Sequence, residues 1–395
     1  MQKGIGTSST SDAGPVERIA RIAEVIETSA ARNEELGRLA PEVVEKLHEQ
    51  QLFRMLLPRD YGGEELDLVT WFRAMEALAK LDGSTAWCVG QMNGCAATAA
   101  AVEPAVARRI WGEPQSALSW GPPVKARADE VEGGHRVTGE WMFSSGSRNA
   151  TWIGLHAPVF DESGAPVKLP GGAALRIFFV PAGEVEWIEN WDVLGLVATN
   201  SGGFRTDGLF VPEGYSVVLR HPLEAKIKSR QYIFPMNSFF AIGFSAVALG
   251  IARSMLEACK ALVAEKKPRL AKFSLLENHH VHFQIGEAEA RLRSARGYVE
   301  ATAQRVGQDA LDTGELSIAQ RMDIRMAATF AIHEAKVVAD AVWEIAGANA
   351  IFQTGPFERR LRDIRTVMQQ AQGRKAHLQD VGAYLLGLEP ALMFA

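Results

Sequence analysis

The chain of 395 residues has no excess of positive charge and no paired cysteines. Lysine and arginine number 42 against 47 aspartates and glutamates, which leaves a net charge of −5. Because binding to a phosphate backbone needs a basic surface, this balance argues against nucleic acid as a partner. Three cysteines without a Cys-x-x-Cys pair exclude a disulfide scaffold and a zinc ribbon, and they favour a reducing, cytoplasmic location.

Local motifs for nucleotides, nucleophilic serines and metals are also missing. Gly4–Gly6 lacks the third glycine of a dinucleotide-binding fingerprint, and neither a P-loop nor a Gly-x-Ser-x-Gly elbow occurs. The one histidine cluster, His279, His280 and His282, has no second group of ligands at a defined spacing. No metal site is therefore predicted, and no single local motif indicates the function.

Only one long hydrophobic run is present, and it carries no charge from Gln231 to Ala252. Its length would suit a membrane helix, but it contains Pro235 and several polar residues and has no second such run beside it. A helix that is apolar on all sides can equally lie in a protein core. We predict a buried helix and no membrane association.

The residue patterns divide the chain into a short lead-in and three domains. Residues 1–14 are rich in glycine, serine and threonine and are predicted to be a disordered lead-in. Helical periodicity predicts an N-terminal α-helical domain over residues 15–115. Short apolar runs between turns over residues 116–220 predict a small antiparallel barrel or sandwich. Long helical patterns return over residues 221–395 and predict a bundle, so the fold class is α+β and mostly α.

Several ordered blocks, spread from about residue 17 to residue 388, together resemble the acyl-CoA dehydrogenase superfamily. They are Leu52–Pro58 with Tyr61–Asp67, Asp82–Trp87, the strand segment Gly134–Gly146, Trp191–Leu196 with Thr199–Ser201, and Pro356–Asp363. The resemblance implies a helical N-terminal domain, a central β barrel and a C-terminal four-helix bundle. It also implies a flavin cofactor and a homotetramer, or a dimer, built through the bundles.

Two chemistries occur in this superfamily, and the resemblance allows each to be tested. Acyl-CoA dehydrogenases use a glutamate to remove an α-proton, and such a step needs a positioned base. The usual position of that glutamate falls near Gln370–Gln372, and the alternative position falls in Pro235–Ser238; neither segment holds a carboxylate. Acyl-CoA dehydrogenation is therefore disfavoured, and the form of the strand Trp141–Gly146 is more similar to the flavin monooxygenase branch.

The monooxygenase branch often carries three histidines that this chain replaces. By the resemblance, their positions are Gln370, Asn149 and either Asn93 or Cys95. Glutamine and asparagine keep hydrogen-bonding capacity but do not titrate near neutral pH. Gln370 and Asn149 are therefore candidate catalytic residues, while Asn93 and Cys95 are candidates for the substrate pocket.

The remaining site candidates also come from the resemblance. Ser145 is the first of them and is predicted both as a catalytic residue and as a flavin contact, because its hydroxyl falls where the family bonds flavin N5 or O4. The other expected flavin contacts are Trp120, Phe143, Thr199, Ser201 and Arg359. The substrate pocket is expected to add His156, Phe239 and Phe240 to Asn93 and Cys95.

The function expected from these features is that of the oxygenase component of a two-component flavin-dependent monooxygenase. Reduced FMN or FAD would come from a separate reductase, since the chain has no nicotinamide motif, and O2 would be the second substrate. The molecule hydroxylated is expected to be small and apolar, with aromatic and heteroaromatic compounds among the candidates. Two alternatives stay open: a dehydrogenase or oxidase, and a non-catalytic family member that binds a ligand.

Overall fold

The first part of the chain folds into six helices. The computed structural model describes residues 13–169, 172–219, 224–227, 229–269 and 272–392. The predicted lead-in lies outside these ranges except for residues 13 and 14, and so does the predicted boundary between residues 220 and 221. The helices are α1 Pro15–Arg21, α2 Ala23–Leu36, α3 Pro41–Glu49, α4 Leu68–Leu81, α5 Gly83–Ala96 and α6 Pro104–Trp111.

Local signals explain where these helices begin. Proline occupies the first turn of α1, α3 and α6, where its missing N–H breaks no helical hydrogen bond. Asp67 caps α4 by accepting from the backbone N–H groups of Val69 and Thr70, each at 2.9 Å. Asp82 caps α5 in the same way, with Thr85 N–H at 2.8 Å. The α5 cap matters for the site, because α5 carries Trp87.

The middle of the chain is a sheet whose two ends do not meet. Its strands are β1 Leu118–Trp120, β2 Pro123–Val131, β3 Gly134–Trp141, β4 Trp152–Phe160, β7 Leu175–Pro181, β8 Glu186–Ile188, β9 Gly203–Pro212 and β10 Ser216–Val218, with a separate small pair β5 Lys168–Leu169 and β6 Gly172–Ala173. The order is β10-β7-β4-β2-β3-β9-β8, and β1 pairs with β4 in parallel. Edge strands β8 and β10 are both only three residues long.

The predicted closed barrel is therefore corrected to an open sheet. The sheet has two halves, β10-β7-β4 and β2-β3-β9-β8. Within the described residues, they are joined by the pairing of β2 with β4, through Ala128–Val159 and Asp129–Phe160. Both halves contribute to one apolar cluster that includes Trp141, Leu155 and Phe178.

Five helices form the C-terminal part, and three of them are long. They are α7 Met236–Glu265, α8 His279–Thr313, α9 Ile318–Ala346, α10 Glu358–Val367 and α11 His377–Leu385. The three long helices pack against one another, and the shorter α10 and α11 pack against α9. In place of the predicted four-helix bundle, the described residues of this part form three long α-helices and two short ones.

Helix α7 contains the uncharged run from Met236 onward and is long and apolar enough to cross a membrane. In the structure, 83% of its most apolar window is buried inside the protein. It packs against α4, and the Trp71 indole N–H donates to the carbonyl of Phe239 at 3.0 Å. The run therefore forms a core helix, in agreement with the buried-helix interpretation.

Candidate functional site

Ser145 lies in the loop after β3, where helix α5 meets the sheet. Its hydroxyl is buried, with 5% of the residue exposed, and accepts a hydrogen bond from Trp87 Nε1 at 3.0 Å. Ser145 Oγ is also 2.6 Å from Ser201 Oγ, just before β9. Ser119 on β1 donates its hydroxyl to the backbone carbonyl of Ser145 at 2.7 Å. Both the side chain and the backbone of Ser145 are thus held in place.

The contact with Ser201 is one link of a longer chain of buried hydroxyls. Ser201 Oγ is 2.7 Å from Thr199 Oγ1, and Thr199 donates to the carbonyl of Leu196 at 2.7 Å. Thr199 and Ser201 are 1% and 3% exposed. The structure therefore brings together Ser145, Ser201 and Thr199, three of the predicted flavin residues, through hydrogen bonds among themselves.

The backbone around this chain of hydroxyls is strained. Phe143, Leu196 and Asn200 have positive φ angles of 58°, 54° and 40°. Among the described residues, only two other non-glycine residues share this feature. Positive φ is costly for residues with a Cβ, and such strain clusters at functional sites.

Asp363 on α10 holds the strained loop from the side of the C-terminal domain. Its carboxylate accepts from the backbone N–H of Leu196 at 2.6 Å. Gly195 lies so close to the carbonyl of Arg362 that a Cβ would clash with it. Burial, and then the nearby carboxylate of Asp82, raise the pKa of Asp363 to about 7. A buried carboxyl that titrates near neutral pH thus supports the loop that ends the hydroxyl chain.

Phe143 presents an apolar face beside this buried polar network. Its side chain is 60% exposed, and its ring meets that of Trp191 edge-on, with centroids 6.1 Å apart. A large exposed aromatic beside strained backbone is typical of a ligand-binding surface. This placement fits the predicted contact between Phe143 and a flavin ring.

A stack of three aromatic rings begins at Trp87, whose indole N–H donates to the Ser145 hydroxyl. The rings of Trp87 and Phe244 are 3.9 Å apart and nearly parallel, at 13°. Phe240 continues the stack, 5.6 Å from Phe244 at 10°. Phe240 is thus connected to Ser145 through two other rings, whereas Phe239 is buried in the core against Phe234. Phe244 was missed by the sequence analysis, although its i, i+4 spacing from Phe240 on one helix could have indicated it.

Asn93 and Cys95 are buried on α5, where Phe240 packs against the cluster that contains Cys95. Asn93 is fully buried, accepts from Leu56 N–H at 3.0 Å and donates to the carbonyls of Leu52 and Val89. These bonds use its amide to attach the 52–56 segment to α5. Burial raises the pKa of the Cys95 thiol well above its ordinary value, so it is no acid or base at neutral pH. The amide of Asn93 thus bonds backbone groups and not Ser145, and its place in a substrate pocket stays a prediction.

Trp120 and His156 contact each other and not the Ser145 hydroxyl. Their rings pack edge to face with centroids 5.1 Å apart. Trp120 follows Ser119 on β1, and side chains of successive strand residues point to opposite sides. Because Ser119 points to Ser145, the Trp120 indole lies on the opposite side of the strand. Trp120 packs in the cluster that contains Cys95, and its flavin contact stays a prediction.

Gln370 caps the short turn Ala371–Gly373. Its amide oxygen accepts from Gln372 N–H at 2.8 Å. Its amide nitrogen is buried and has no hydrogen-bond partner among the described residues. Gln370 therefore keeps a donor for a bound molecule. Asn149 ends the short turn Ser147–Asn149 and is half-buried, four residues after Ser145.

Arg359 lies on α10, four residues before Asp363 and therefore on the same face of the helix. It is half-buried, and it forms no salt bridge with any residue that the structure describes. Its charge lowers the pKa of Asp363 against the effect of burial. A guanidinium without an ion-pair partner can bind a phosphate group in two-pronged fashion, in keeping with the predicted role.

The donor set suits an organic cofactor more than a metal ion. Within the described ranges, no group of three histidine, cysteine or acidic side chains could hold a metal. The Ser145 hydroxyl, the exposed ring of Phe143 and the unpaired guanidinium of Arg359 instead match the polar edge, the flat ring and the phosphate of a flavin. The residues present thus fit the group.

Comparison with known proteins gives the family. The chain matches the acyl-CoA dehydrogenase N-terminal domain over residues 17–103 and the acyl-CoA dehydrogenase C-terminal domain over residues 242–373. Together these matches cover more than half of the chain.

Among curated proteins, an indole-3-acetate monooxygenase from Pseudomonas putida is 24% identical over 352 residues, which cover 89% of this chain and 88% of that protein. The oxygenase component of an FADH2-dependent resorcinol hydroxylase from a Rhizobium species is 25% identical and covers 95% and 94%. Among solved structures, XiaF from Streptomyces in complex with FADH2 and glycerol superposes with a TM-score of 0.88 at 22% identity, over 96% of each chain. The structural match shows that the fold is shared.

Proposed function

Because the chain belongs to the acyl-CoA dehydrogenase superfamily, we propose that it is the oxygenase component of a two-component flavin-dependent monooxygenase. It uses reduced flavin and O2 to hydroxylate a small apolar molecule. The curated relatives named above, which match nearly the whole chain, are a monooxygenase and a hydroxylase component.

The observation that carries this proposal is the composition of the surroundings of Ser145. The side chains bonded to its hydroxyl are Trp87 and Ser201, and neither is a base at neutral pH. Gln370, at the position expected for a dehydrogenase base, is an amide whose oxygen caps a turn. Proton removal from an acyl thioester needs a base within hydrogen-bond reach, so the surroundings favour oxygen insertion over acyl-CoA dehydrogenation.

Reduced FMN or FAD is the proposed cofactor. When bound, it supplies the two electrons with which O2 is split, so that one oxygen atom enters the substrate and the other leaves as water. Ser145 would bind the polar edge of the ring system, Phe143 would cover its face, and Arg359 would pair with a phosphate. A separate reductase is the proposed source of the reduced flavin, as for oxygenase components among the relatives.

The substrate is proposed to be aromatic or heteroaromatic. The stack of Trp87, Phe244 and Phe240 begins at the Ser145 hydroxyl, and its last ring, Phe240, is only half-buried, whereas the other two are buried. Offset stacking on such rings favours other aromatic molecules. The names of the two curated relatives contain indole-3-acetate and resorcinol, which are both aromatic.

We also propose that the protein is a homotetramer in the cytoplasm, assembled through its C-terminal domain. The support is a set of exposed apolar side chains in that domain, namely Phe273, Leu276, Phe283, Ile351, Phe352, Leu385, Leu386 and Leu388. Large exposed apolar side chains in this number favour a protein contact. The three buried, free cysteines fit a reducing compartment.

The test of the proposed function is anaerobic loading with reduced FMN or FAD, followed by rapid mixing with O2. We expect a transient absorption that belongs to neither reduced nor oxidised flavin, and 18O from labelled O2 in an aromatic product. Immediate reoxidation without a transient, together with bleaching of bound oxidised flavin by a substrate in the absence of O2, would favour a dehydrogenase or oxidase. Failure to bind flavin in either redox state would favour a non-catalytic role.

A further inference from the structure

We propose that Thr199 and Ser201 are positioning residues that set the direction of the Ser145 O–H bond, and that they thereby select the redox state of the bound flavin. This inference rests on the proposed function, because it concerns the flavin that Ser145 would bind. It follows from the direction in which hydrogen bonds run along the buried chain from Trp87 to Leu196.

The far end of the chain fixes that direction. The carbonyl of Leu196 can only accept, so Thr199 spends its single hydroxyl proton on it, at 2.7 Å. Thr199 can then only accept from Ser201, which lies at 2.7 Å. Ser201 in turn can only accept from Ser145, at 2.6 Å. The protons therefore run from Ser145 through Ser201 to Thr199 and on to the carbonyl.

Reversing the chain would cost a buried hydrogen bond. If Thr199 turned its hydroxyl proton to Ser201, the Leu196 carbonyl would lose its shortest hydrogen bond and keep two longer ones, from Thr199 N–H at 3.1 Å and from the Trp191 indole N–H at 3.3 Å. Leu196 is 2% exposed, so water would not replace the lost donor easily. Asp363 already holds the N–H of Leu196 at 2.6 Å, which keeps this peptide group in place.

The direction determines what Ser145 offers to a ligand. Its proton points to Ser201, and Trp87 donates to one of its two lone pairs. One lone pair of the hydroxyl oxygen is left, so toward the ligand Ser145 is an acceptor.

The two redox states of flavin differ in this respect at N5. Reduced flavin carries an N–H there, whereas oxidised flavin has only a lone pair; O4 is an acceptor in both states. An accepting Ser145 therefore matches the N5–H of reduced flavin. It matches neither O4 nor the N5 of oxidised flavin unless the chain reverses. The structure thus favours N5 over O4, two contacts that the family resemblance left open.

The test measures the dissociation constants of oxidised and reduced flavin under anaerobic conditions, by ultrafiltration or by flavin fluorescence. FMN and FAD are each used, with the wild type, Thr199→Val and the control Thr199→Ser. Valine keeps the shape of threonine but cannot donate to Leu196, so the chain is free to reverse. Serine keeps the hydroxyl and should keep the direction.

We expect the wild type to bind reduced flavin more tightly than oxidised flavin. Thr199→Val should lower the ratio of the oxidised to the reduced dissociation constant about five- to tenfold, as expected for one buried hydrogen bond. A tenfold change corresponds to a shift of about 30 mV in the two-electron potential of the bound flavin. Thr199→Ser should leave the ratio within about twofold of the wild type, a margin set by the usual scatter of small perturbations.

Ser201→Ala provides a second interruption of the same chain. It should shift the ratio in the same direction as Thr199→Val, and the double variant should shift it no further, because both changes break one chain. Thermal unfolding of each variant checks that the fold is kept. If only one of the two single variants folds, that variant is sufficient for the test.

An unchanged ratio in the folded variants, or equal binding of both redox states by the wild type, would overturn the inference about direction. Either result leaves the proposed function standing, because reduced flavin would still bind. Failure of the wild type to bind reduced flavin would instead overturn the proposed function.

Discussion

The Ser145 hydroxyl depends on an indole that serves two purposes at once. The ring of Trp87 stacks on Phe244, and its N–H donates to Ser145. Packing and hydrogen bonding can be separated by substitution, because phenylalanine keeps the aromatic face but has no donor.

For Trp87→Phe we expect a loss of about 1 kcal/mol in the free energy of unfolding, the usual net value of one hydrogen bond. Trp87→Ala also removes the buried ring and should cost about 3–5 kcal/mol. Urea denaturation of both variants measures the difference. Equal losses would show that the N–H of Trp87 dominates and that its stacking contributes nothing.

Asp363 gives a second residue-level prediction, which concerns pH. Its pKa of about 7 in the folded protein lies above the ordinary value of an aspartate, so the folded state keeps a proton that the unfolded state releases. The contribution of Asp363 to stability should therefore be highest below about pH 4 and should decrease as the pH rises to about 7. Above pH 7 it should stay constant.

Asp363→Asn is the matched variant, since an amide oxygen can still accept from Leu196 N–H. Urea unfolding of the wild type and of the variant between pH 4.5 and pH 8 gives the difference in their free energies of unfolding at each pH. The contributions of the other titrating groups are the same in both proteins and cancel in this difference. The wild type should lose stability relative to the variant as the pH rises to 7. A difference that does not change with pH would contradict the raised pKa.

At the scale of elements, α4 and α7 approach closely because glycines of α7 face α4. A Cβ on Gly250 would lie 2.5 Å from the carbonyl oxygen of Glu76, and a Cβ on Gly243 would lie 2.9 Å from the Trp71 indole nitrogen. The absence of side chains at these positions lets Trp71 reach the backbone of α7.

Gly250→Ala should therefore destabilise the protein by about 1–3 kcal/mol through overpacking. Gly297 in the long helix α8 is the control, because a Cβ there meets nothing within 4 Å. Gly297→Ala should stabilise by about 0.5–1 kcal/mol, since alanine favours helix more than glycine does. Thermal unfolding of the two variants should shift in opposite directions, and a shift of both in the same direction would refute the packing argument.

The elements also show where reasoning from the sequence succeeds and where it stops. The buried interpretation of α7 could be made locally, because its proline and polar residues stand in the run itself. Whether the sheet is open or closed could not be predicted locally, because that depends on pairings between strands distant in sequence, such as β2 with β4. At the site, the resemblance selected Ser145, Thr199 and Ser201. Periodicity could not show that Trp120 turns away from Ser145 or that Asn93 is used by the backbone.

At the scale of the whole molecule, the exposed apolar residues of the C-terminal domain bear on assembly. Phe352 and Leu386 are 59% and 82% exposed and belong to two separate segments of that domain. If the proposed homotetramer forms through this domain, both segments are candidates for its contacts.

We expect light scattering after size-exclusion chromatography to give four times the chain mass of 43.0 kDa for the wild type. Phe352→Asp or Leu386→Asp should lower that mass, because a buried, unpaired charge is costly at an interface. Val124→Asp is the control, since Val124 is 60% exposed, about as much as Phe352, but lies in the sheet. A monomer in the wild type would contradict the proposed assembly.

The buried chain of hydroxyls is held by residues that are far apart in the polypeptide sequence. Trp87 and Ser145 are 58 residues apart, and Leu196 and Asp363 are 167 residues apart. Contacts of such separation carry a large loop-closure cost and form late in folding. An intermediate with its helices formed but its parts undocked would therefore bind no flavin. Flavin would therefore bind only after these parts have docked, and once bound it stabilises the folded molecule as a whole rather than one part of it.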